Sequence, residues 1–428
     1  MCLTFGSGYG IISIEKHSKP SREGNRPMTR KTHKIALDIN NKQRTYLAKC
    51  AGISRFAYNW ALYEWNLMYE AYKMDPINPK PNQLLLRRKL NSIKREEFPW
   101  MLEVTKCAPQ EAIIDLGKAF SNFFAGRGRH PVFKKKGVHD SFRVSSGFFL
   151  VSGKTIRLPV IGEIRMREEL RYGDAKIVSV TISRRADRWY ASVVCEKGEP
   201  PVPVRADTPG EPGIALGVDA GVYAYTCSDG YTYETARSYR AAERKLRRAQ
   251  KALSRKRKGS RNYGKQRVKV AKIHARISDI RNDFIHNMTT DIVRKTDTIA
   301  IEDLYVKGMI RNRHLSKSIA DASFGEFRRQ LTYKAEWAGK TLIIADRFYP
   351  SSKLCSCCGA KAKRLTLDVR EWICDNCGRR HDRDLNAAIN LKRYAESLPV
   401  SACGELFASA LDPQCGPEAS SLYEAGTK

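Results

Sequence analysis

Residues 353–391 read KLCSCCGAKAKRLTLDVREWICDNCGRRHDRDLNAAINL, two cysteine pairs followed at once by an acidic turn and a helical run. Taking Cys355 with Cys358 and Cys374 with Cys377 gives C-x2-C, fifteen intervening residues and a second C-x2-C, a spacing that suits one tetrahedral zinc ion. Gly359 and Gly378 follow the pairs and fit the tight turns of a zinc knuckle, and Cys357 is the spare thiol. Four closed thiolates leave no position for water, so the zinc expected here is structural. Its binding should contribute roughly 10 kcal/mol or more to ordering a segment too short to form a core. The other cysteines, Cys2, Cys50, Cys107, Cys195, Cys227, Cys403 and Cys415, are scattered singly, as small buried hydrophobes rather than a disulfide framework.

Just past the knuckle, Asp384 opens the helix DLNAAINLKRY, and two further acids lie upstream. Glu302 follows IAI in an apolar strand, where a carboxylate without a cation would be expensive. Its neighbour Asp303 points to the opposite face and reads as a cap or salt-bridge partner. Asp219 ends the small-residue strand GIALGVDAGV. Singly, Asp219 reads as a turn residue and Asp384 as a helix cap; together and in order the three acids point to chemistry. Carboxylates can hold two hard cations about 4 Å apart, one activating water and one stabilising the leaving 3′ oxygen of a phosphodiester. Products with a 5′ phosphate and a 3′ hydroxyl are then expected. Asp346 is a candidate auxiliary ligand, whereas His381 and Asp382 have no assigned role.

The order of elements agrees. The hairpin VYAYTCSDGYTYET turns at Asp229-Gly230, and a long basic helical region runs from about 236 to 290. TIAIEDL is the next strand. Ser323 and Glu326 suggest a capping box for a helix carrying Phe324, Phe327 and Leu331, which stops at Gly339 before the strand TLIIADRFYP. Acid-bearing strands, a helix between them and a last helix opened by an acid are the plan of ribonuclease-H-like folds.

Upstream, KIALDI is a short strand, and Ser54 starts a helical pattern with Phe56, Trp60, Tyr63 and Leu67 that closes at Asp75-Pro76. Ile113, Leu116, Phe120, Phe123 and Phe124 keep helical spacing up to Gly126, so both sets of aromatics read as core. In RGRHPVFKKK, Arg127, Arg129, Lys134, Lys135 and Lys136 interleave with Pro131 and Phe133, a candidate backbone-phosphate contact. Residues 140–196 alternate as strands, with KIVSVTISRR and RWYASVVCE as a hairpin, and PPVPVRADTPGEPG is a linker that marks a boundary near 206.

The chain has 428 residues, and its 77 Lys and Arg against 45 Asp and Glu leave a net charge of +32. Two or more domains and a polyanionic partner follow. No apolar run approaches the roughly 18 residues of a membrane span, and an intracellular protein is expected.

From Asp219 through IEDL, YPSSKLCSCCG and WICDNCGRRHDRDLNAAINL, the chain resembles the TnpB family of transposon-encoded, RNA-guided nucleases, relatives of the compact type V CRISPR effectors. The likeness is close over 211–398 and looser over 30–205. It implies that Asp219, Glu302 and Asp384 are the RuvC carboxylates, holding two magnesium ions, and that the four paired cysteines are the family's zinc-binding insertion. The implied fold is multidomain α+β: a ribonuclease-H-like (RuvC) α/β nuclease domain with an inserted four-cysteine zinc ribbon, preceded by a β-barrel-like wedge domain that carries a helical recognition domain.

The corresponding limits are a disordered extension at 1–28, wedge at 29–45 and 130–205, and recognition helices at 46–129. The nuclease domain takes 206–350 and 381–398, the ribbon 351–380, and a flexible tail 399–428. The implied partners are a guide RNA from the transposon end and double-stranded DNA beside a short adjacent motif. The basic helical stretch, with Arg244, Arg248, Arg255 and Arg257, then has an RNA–DNA heteroduplex to meet. A cytoplasmic, nucleoid-associated monomer is expected. Departures are Ala220 where the family more often has a larger apolar residue, the extra Cys357 and the N-terminal extension. Alternatives are a repressor of the same fold that binds without cleaving, and a DNA transposase, which would explain the acids but not the cysteine pairs.

Overall fold

The computed structural model describes residues 28–198, 215–366 and 368–398. Residues 1–27 of the N-terminal extension, the proline-rich linker and the C-terminal tail expected from sequence lie outside the described residues, whereas Met28, placed in that extension, opens the first strand.

The first strand, β1 (Met28–Asp38), runs into a 34-residue helix, α1 (Asn41–Met74). The helix begins well before Ser54 because Asn40 and Gln43 form a capping box: the Asn40 side chain accepts from the Gln43 amide at 2.8 Å, and Gln43 accepts from the Asn40 amide at 3.1 Å. Its end at Asp75 is as read. The buried face, however, is Leu47, Cys50, Ala51, Ala57, Tyr58, Ala61, Leu62 and Trp65. Phe56 and Trp60 are only half-buried, while Tyr63 and Leu67 are 55% and 50% exposed, which corrects the aromatic core expected there. Small residues on the true core face let neighbouring helices close in.

Those neighbours are α2 (Gln83–Ile93) and α3 (Cys107–Phe124). Trp65 of α1 stacks on Phe120 of α3 with centroids 4.2 Å apart. Phe124, also read as core, is exposed.

Six strands follow: β2 (Ser141–Ser145), β3 (Leu150–Ser152), β4 (Thr155–Leu158), β5 (Gly162–Met166), β6 (Lys176–Arg185) and β7 (Arg188–Gly198). With β1 they form an antiparallel sheet in the order β2-β6-β7-β1-β5-β4-β3, so β2 and β3 are its edges. The hairpin of β6 and β7 turns at Ala186 and Asp187, as the alternation suggested. Ile35, Ile156, Ile164, Met166, Ile182 and Trp189 from this sheet and the helices' apolar faces share one core.

The second half is built on β8 (Ala215–Ala220), β9 (Ala224–Cys227) and β10 (Thr232–Glu234). The basic stretch is two helices rather than one, α4 (Ser238–Ser254) and α5 (Arg261–Lys295), packed against each other. Gly259, at φ +84°, breaks the run, and Ser260 caps α5 by accepting from the Tyr263 amide at 3.1 Å. Then come β11 (Thr298–Glu302), α6 (Val306–Ile310), α7 (Ser316–Ala322), α8 (Phe324–Ala338) and β12 (Thr341–Ala345). The capping box expected at α8 does not form. Ser323 lies in the left-handed region at φ +60° and its hydroxyl donates to Ala320, while Glu326 accepts from Arg329 and Gln330. A short pair, β13 (Glu371–Ile373) and β14 (Arg380–Asp382), precedes the last helix, α9 (Arg383–Glu396).

The central sheet has the order β10-β9-β8-β11-β12, with β8, β11 and β12 parallel and the β8–β9–β10 meander antiparallel. Its strands alternate between two covered faces. Leu216, Val218, Ile299 and Ile301 face α5 and α8, whereas Ala300, Ile343 and Ala345 share a smaller core with Leu391 and Ala395 of α9.

Candidate metal centres of the second half

Val218 of β8 is the register partner of Ile301 on β11, so the next residues along the two parallel strands are Asp219 and Glu302. By alternation both acids belong to the sheet face that carries Gly217 and Ala300, the face covered by α9. That face is lined with small residues because α9 lies very close, and Asp384 sits in the first turn of α9. Three distant segments therefore bring three carboxylates to one end of the sheet. Burial first, then the charges of Glu302 and Asp384, hold the Asp219 carboxyl well above the usual range, with Arg383 acting in the opposite direction.

The acids are not loose. Glu302 Oε1 accepts from Ser351 Oγ at 2.5 Å, and Asp384 Oδ2 lies 3.4 Å from Arg370. The cap of α9 is Asp382, whose side chain accepts from the Leu385 amide at 2.8 Å. This corrects the helix-cap reading of Asp384, which leaves its carboxylate available for another role. Asp346 is a turn residue, accepting from the Phe348 amide at 2.8 Å. Asp303 pairs with Arg328 at 2.6 Å and Arg347 at 2.5 Å, as its alternation suggested.

Among the described residues, Cys355, Cys358, Cys374 and Cys377 form a group of potential metal ligands whose ligand atoms all lie within 4.8 Å of one another. Sulfur–sulfur distances of 3.6 Å, for Cys355–Cys377 and Cys358–Cys374, approach the ~3.8 Å edge of a tetrahedron with Zn–S bonds of about 2.3 Å, and the thiols are unbridged. The two knuckles turn through Gly359 at φ +75° and Gly378 at φ +69°. The donor set fits a soft, tetrahedral metal ion.

Several neighbours escaped the sequence reading. His381 Nε2 lies 3.0 Å from Cys355 Sγ, and its ring packs on Trp372, its register partner across the β13–β14 pair. Asn386 and Asn390 of α9 bind the backbone of the first knuckle. Their i, i+4 spacing on a helix was a visible signal, but the partner backbone lies some thirty or more residues away.

Of the basic residues, Arg127, Lys135 and Lys136 are exposed on the loop after α3. Arg129 shares that loop, and so does Lys134, an exposed residue whose ammonium lies 3.9 Å from the Tyr58 ring centroid, where desolvation lowers its pKa. Arg244, Arg248, Arg255 and Arg257 are exposed on α4 and the turn after it. Arg185–Asp279 at 2.5 Å and Lys272–Asp187 at 2.6 Å join the turn of β6 and β7 to α5. No described helix is long and apolar enough to cross a membrane.

Three stretches of this multidomain α/β chain, which has an acidic strand end beside a four-cysteine cluster, match family models, two of them of the IS605 OrfB class. Residues 192–313 match a model described as "Probable transposase" (OrfB of IS605), residues 324–391 the Cas12f1-like TNB domain, and residues 28–74 a helix-turn-helix domain of the same IS605 OrfB class. That last segment folds here as β1 and the single helix α1.

More particularly, the chain belongs to the TnpB family of RNA-guided DNA endonucleases. It is 41% identical over 319 residues to a Streptomyces pristinaespiralis protein named RNA-guided DNA endonuclease, covering 73% of this chain and 76% of the relative. It is 32% identical to RNA-guided DNA endonuclease InsQ of Escherichia coli (strain K12), covering 88% and 94% of the two chains. A Mycobacterium tuberculosis relative of the same description is 32% identical over 90% and 91%. A solved Cas12f1–sgRNA–target DNA complex aligns over 82% of this chain and 83% of the other, at a TM-score of 0.49 and 13% identity.

Proposed function

We propose that the protein is an RNA-guided DNA endonuclease that cleaves double-stranded DNA at one site formed by Asp219, Glu302 and Asp384. The observation that carries this reading is the pairing of Val218 with Ile301, which sets two acids side by side at the ends of parallel strands, with the third in the first turn of the helix packed over them. The strand order and the covering helices support a ribonuclease-H-like domain. The antiparallel seven-stranded sheet and the α1–α3 group support the wedge and helical recognition roles, with the boundary between them at the start of α1, Asn41, rather than at residue 46. Guide RNA and target DNA are the proposed partners, with base pairing reading sequence.

Magnesium bound there would supply Lewis acidity and a lowered pKa for attacking water. The chain's own residues have separate tasks. Asp219, Glu302 and Asp384 provide hard oxygen donors; burial first and then their mutual repulsion raise the pKa of Asp219, and both favour a cation over three crowded charges. Ser351 fixes one oxygen of Glu302, leaving the other for a ligand role. Arg370 adds a positive charge beside Asp384. The four cysteines would hold structural zinc, and the exposed arginines on α4 and the loop after α3 would contact phosphates. The relatives named as endonucleases extend over most of this chain, which favours cleavage over the transposase alternative.

The test uses the protein purified with its copurifying RNA and a matched duplex. Magnesium-dependent cleavage that disappears in Asp219→Ala supports the reading. Tight target binding with no cleavage under any divalent metal would sink it.

A further inference from the structure

We propose that Ser351 is a positioning residue for Glu302 and that Asn386 and Asn390 of α9 hold it in place, so that seating of the first cysteine knuckle on α9 sets one carboxylate of the acidic cluster. The inference rests on the reading of that cluster as the cleavage site.

Ser351 is buried between β12 and the first knuckle, and its hydroxyl donates to Glu302 Oε1 at 2.5 Å. Its own backbone carbonyl accepts from Asn390 Nδ2 at 2.8 Å. The same Asn390 amide reaches the Leu354 carbonyl at 2.7 Å, and so does Asn386 Nδ2, also at 2.7 Å. Asn386 Oδ1 accepts from the Ser356 amide at 2.8 Å, and Arg393 donates to the Ser356 carbonyl. Asn386 and Asn390 are 1% and 3% exposed. Residues four and three apart on α9 thus clamp the backbone from 351 to 356, one residue beyond the ligand Cys355.

The chemistry calls for these side chains. A carboxamide both donates and accepts, so Asn386 can bridge a carbonyl and an amide, which neither aspartate nor leucine can do. Buried backbone groups in a segment whose ladder contact is limited to the isolated bridge of Leu354 with Lys361 need such bonds. Glutamate has three side-chain torsions, and a hydroxyl fixed on one oxygen removes most of that freedom before any cation arrives. Because Asp384 sits on the same helix as the clamp, Glu302 and Asp384 share one support.

The test compares Ser351→Ala, Ser351→Thr and Asn390→Ala, each full-length and assembled with its RNA, with zinc content checked against wild type. Cleavage is followed against magnesium concentration, and amide hydrogen exchange over residues 351–356 is followed without magnesium. Ser351→Ala should cleave about tenfold more slowly, the weight of one hydrogen bond to a charged group, with a raised magnesium requirement and unchanged target binding. Ser351→Thr should recover most of the rate. Asn390→Ala should speed exchange over 351–356 and show the same magnesium shift. Wild-type rate and magnesium dependence in Ser351→Ala would overturn the proposal. So would unchanged exchange in Asn390→Ala, whether or not the wild type cleaves; a wild type that binds its target and does not cut would instead defeat the cleavage reading.

Discussion

Gly217 lies so close to α9 that a Cβ placed on it would stand 1.9 Å from the carbonyl oxygen of Ala388 and 2.6 Å from the amide nitrogen of Lys392. Both obstacles are backbone, so nothing flexible can give way. Gly217→Ala must push the helix outward, and Asp384 travels with it while Asp219, two residues on along β8, stays. The substitution should cost about 1–3 kcal/mol by overpacking and should remove cleavage well beyond what that destabilisation explains. Melting temperature and single-turnover cleavage, measured together, check this. Wild-type cleavage in a folded Gly217→Ala protein would contradict it.

Asp219→Asn should separate stability from activity. The Asp219 carboxyl titrates above its unfolded value, so between the two values the native state holds a proton that the unfolded chain has released. Metal-free stability attributable to Asp219 therefore falls as pH rises from the unfolded pKa through the folded one, and is level outside that window. Asn does not ionise. At neutral pH and without divalent cations, Asp219→Asn should melt higher, by roughly 2–4 °C if about 1 kcal/mol is recovered, yet cleave nothing. A lower melting point would argue against the crowding of charges.

What was legible in the sequence was local or periodic. The cysteine spacing, the hairpin of β6 and β7, and acids at strand ends after runs such as IAI are written within short windows. The start of α1 was also legible, since Asn40 and Gln43 have capping-box spacing, but the aromatic run after Ser54 outweighed it. Gly259 likewise announced the break between α4 and α5. What could not be read is non-local. Asn386 looks like an ordinary helix residue until the Ser356 amide, thirty positions away, is seen against it. The role of Gly217 needs α9 in place. Asp382, rather than Asp384, caps α9 because its backbone is extended at φ −72°, ψ 132°, a conformation fixed by pairing in β14.

Removing metal from the four cysteines should loosen more than the knuckle. His381 faces Cys355 Sγ at 3.0 Å and immediately precedes Asp382, the cap of α9. With a strong chelator, exchange should quicken over 351–382 and over the first turn of α9, while the seven-stranded sheet keeps its protection. Cys374→Ser should do the same. Loss confined to 355–377 would show that the cluster and the acidic end are independent.

Lys334 gives a pH dependence in the opposite direction from Asp219. Burial lowers its pKa to about 8, against the partial compensation of Glu326, although the ammonium donates to His286 O, Thr289 Oγ1 and Thr290 Oγ1. The unfolded chain binds this proton up to about 10.4, so stability rises with pH between about 8 and that value. Relative to Lys334→Met, wild type should gain stability across that interval and show no differential change below it. Thermal melts of the two proteins from pH 7 to 10 measure the difference, and parallel curves would refute it.

The exposed arginines of α4 and its following turn should act through charge alone. Arg244, Arg248, Arg255 and Arg257 are solvent-facing, so truncating them costs little packing, and the quadruple alanine variant should fold and melt as wild type does. If each meets a phosphate, nucleic-acid affinity must weaken through counterion release. The slope of log K against log salt should then flatten by about 0.7–0.9 for each phosphate no longer neutralised, or roughly 3 for all four. Because phosphates carry no sequence information, the weakening should be similar for matched and mismatched duplexes. Lysine in place of arginine at the four positions should keep the slope, since a phosphate accepts either cation. A variant that binds more weakly with an unchanged slope would instead mean that these side chains shape the hairpin of α4 and α5 rather than touch the backbone of a nucleic acid.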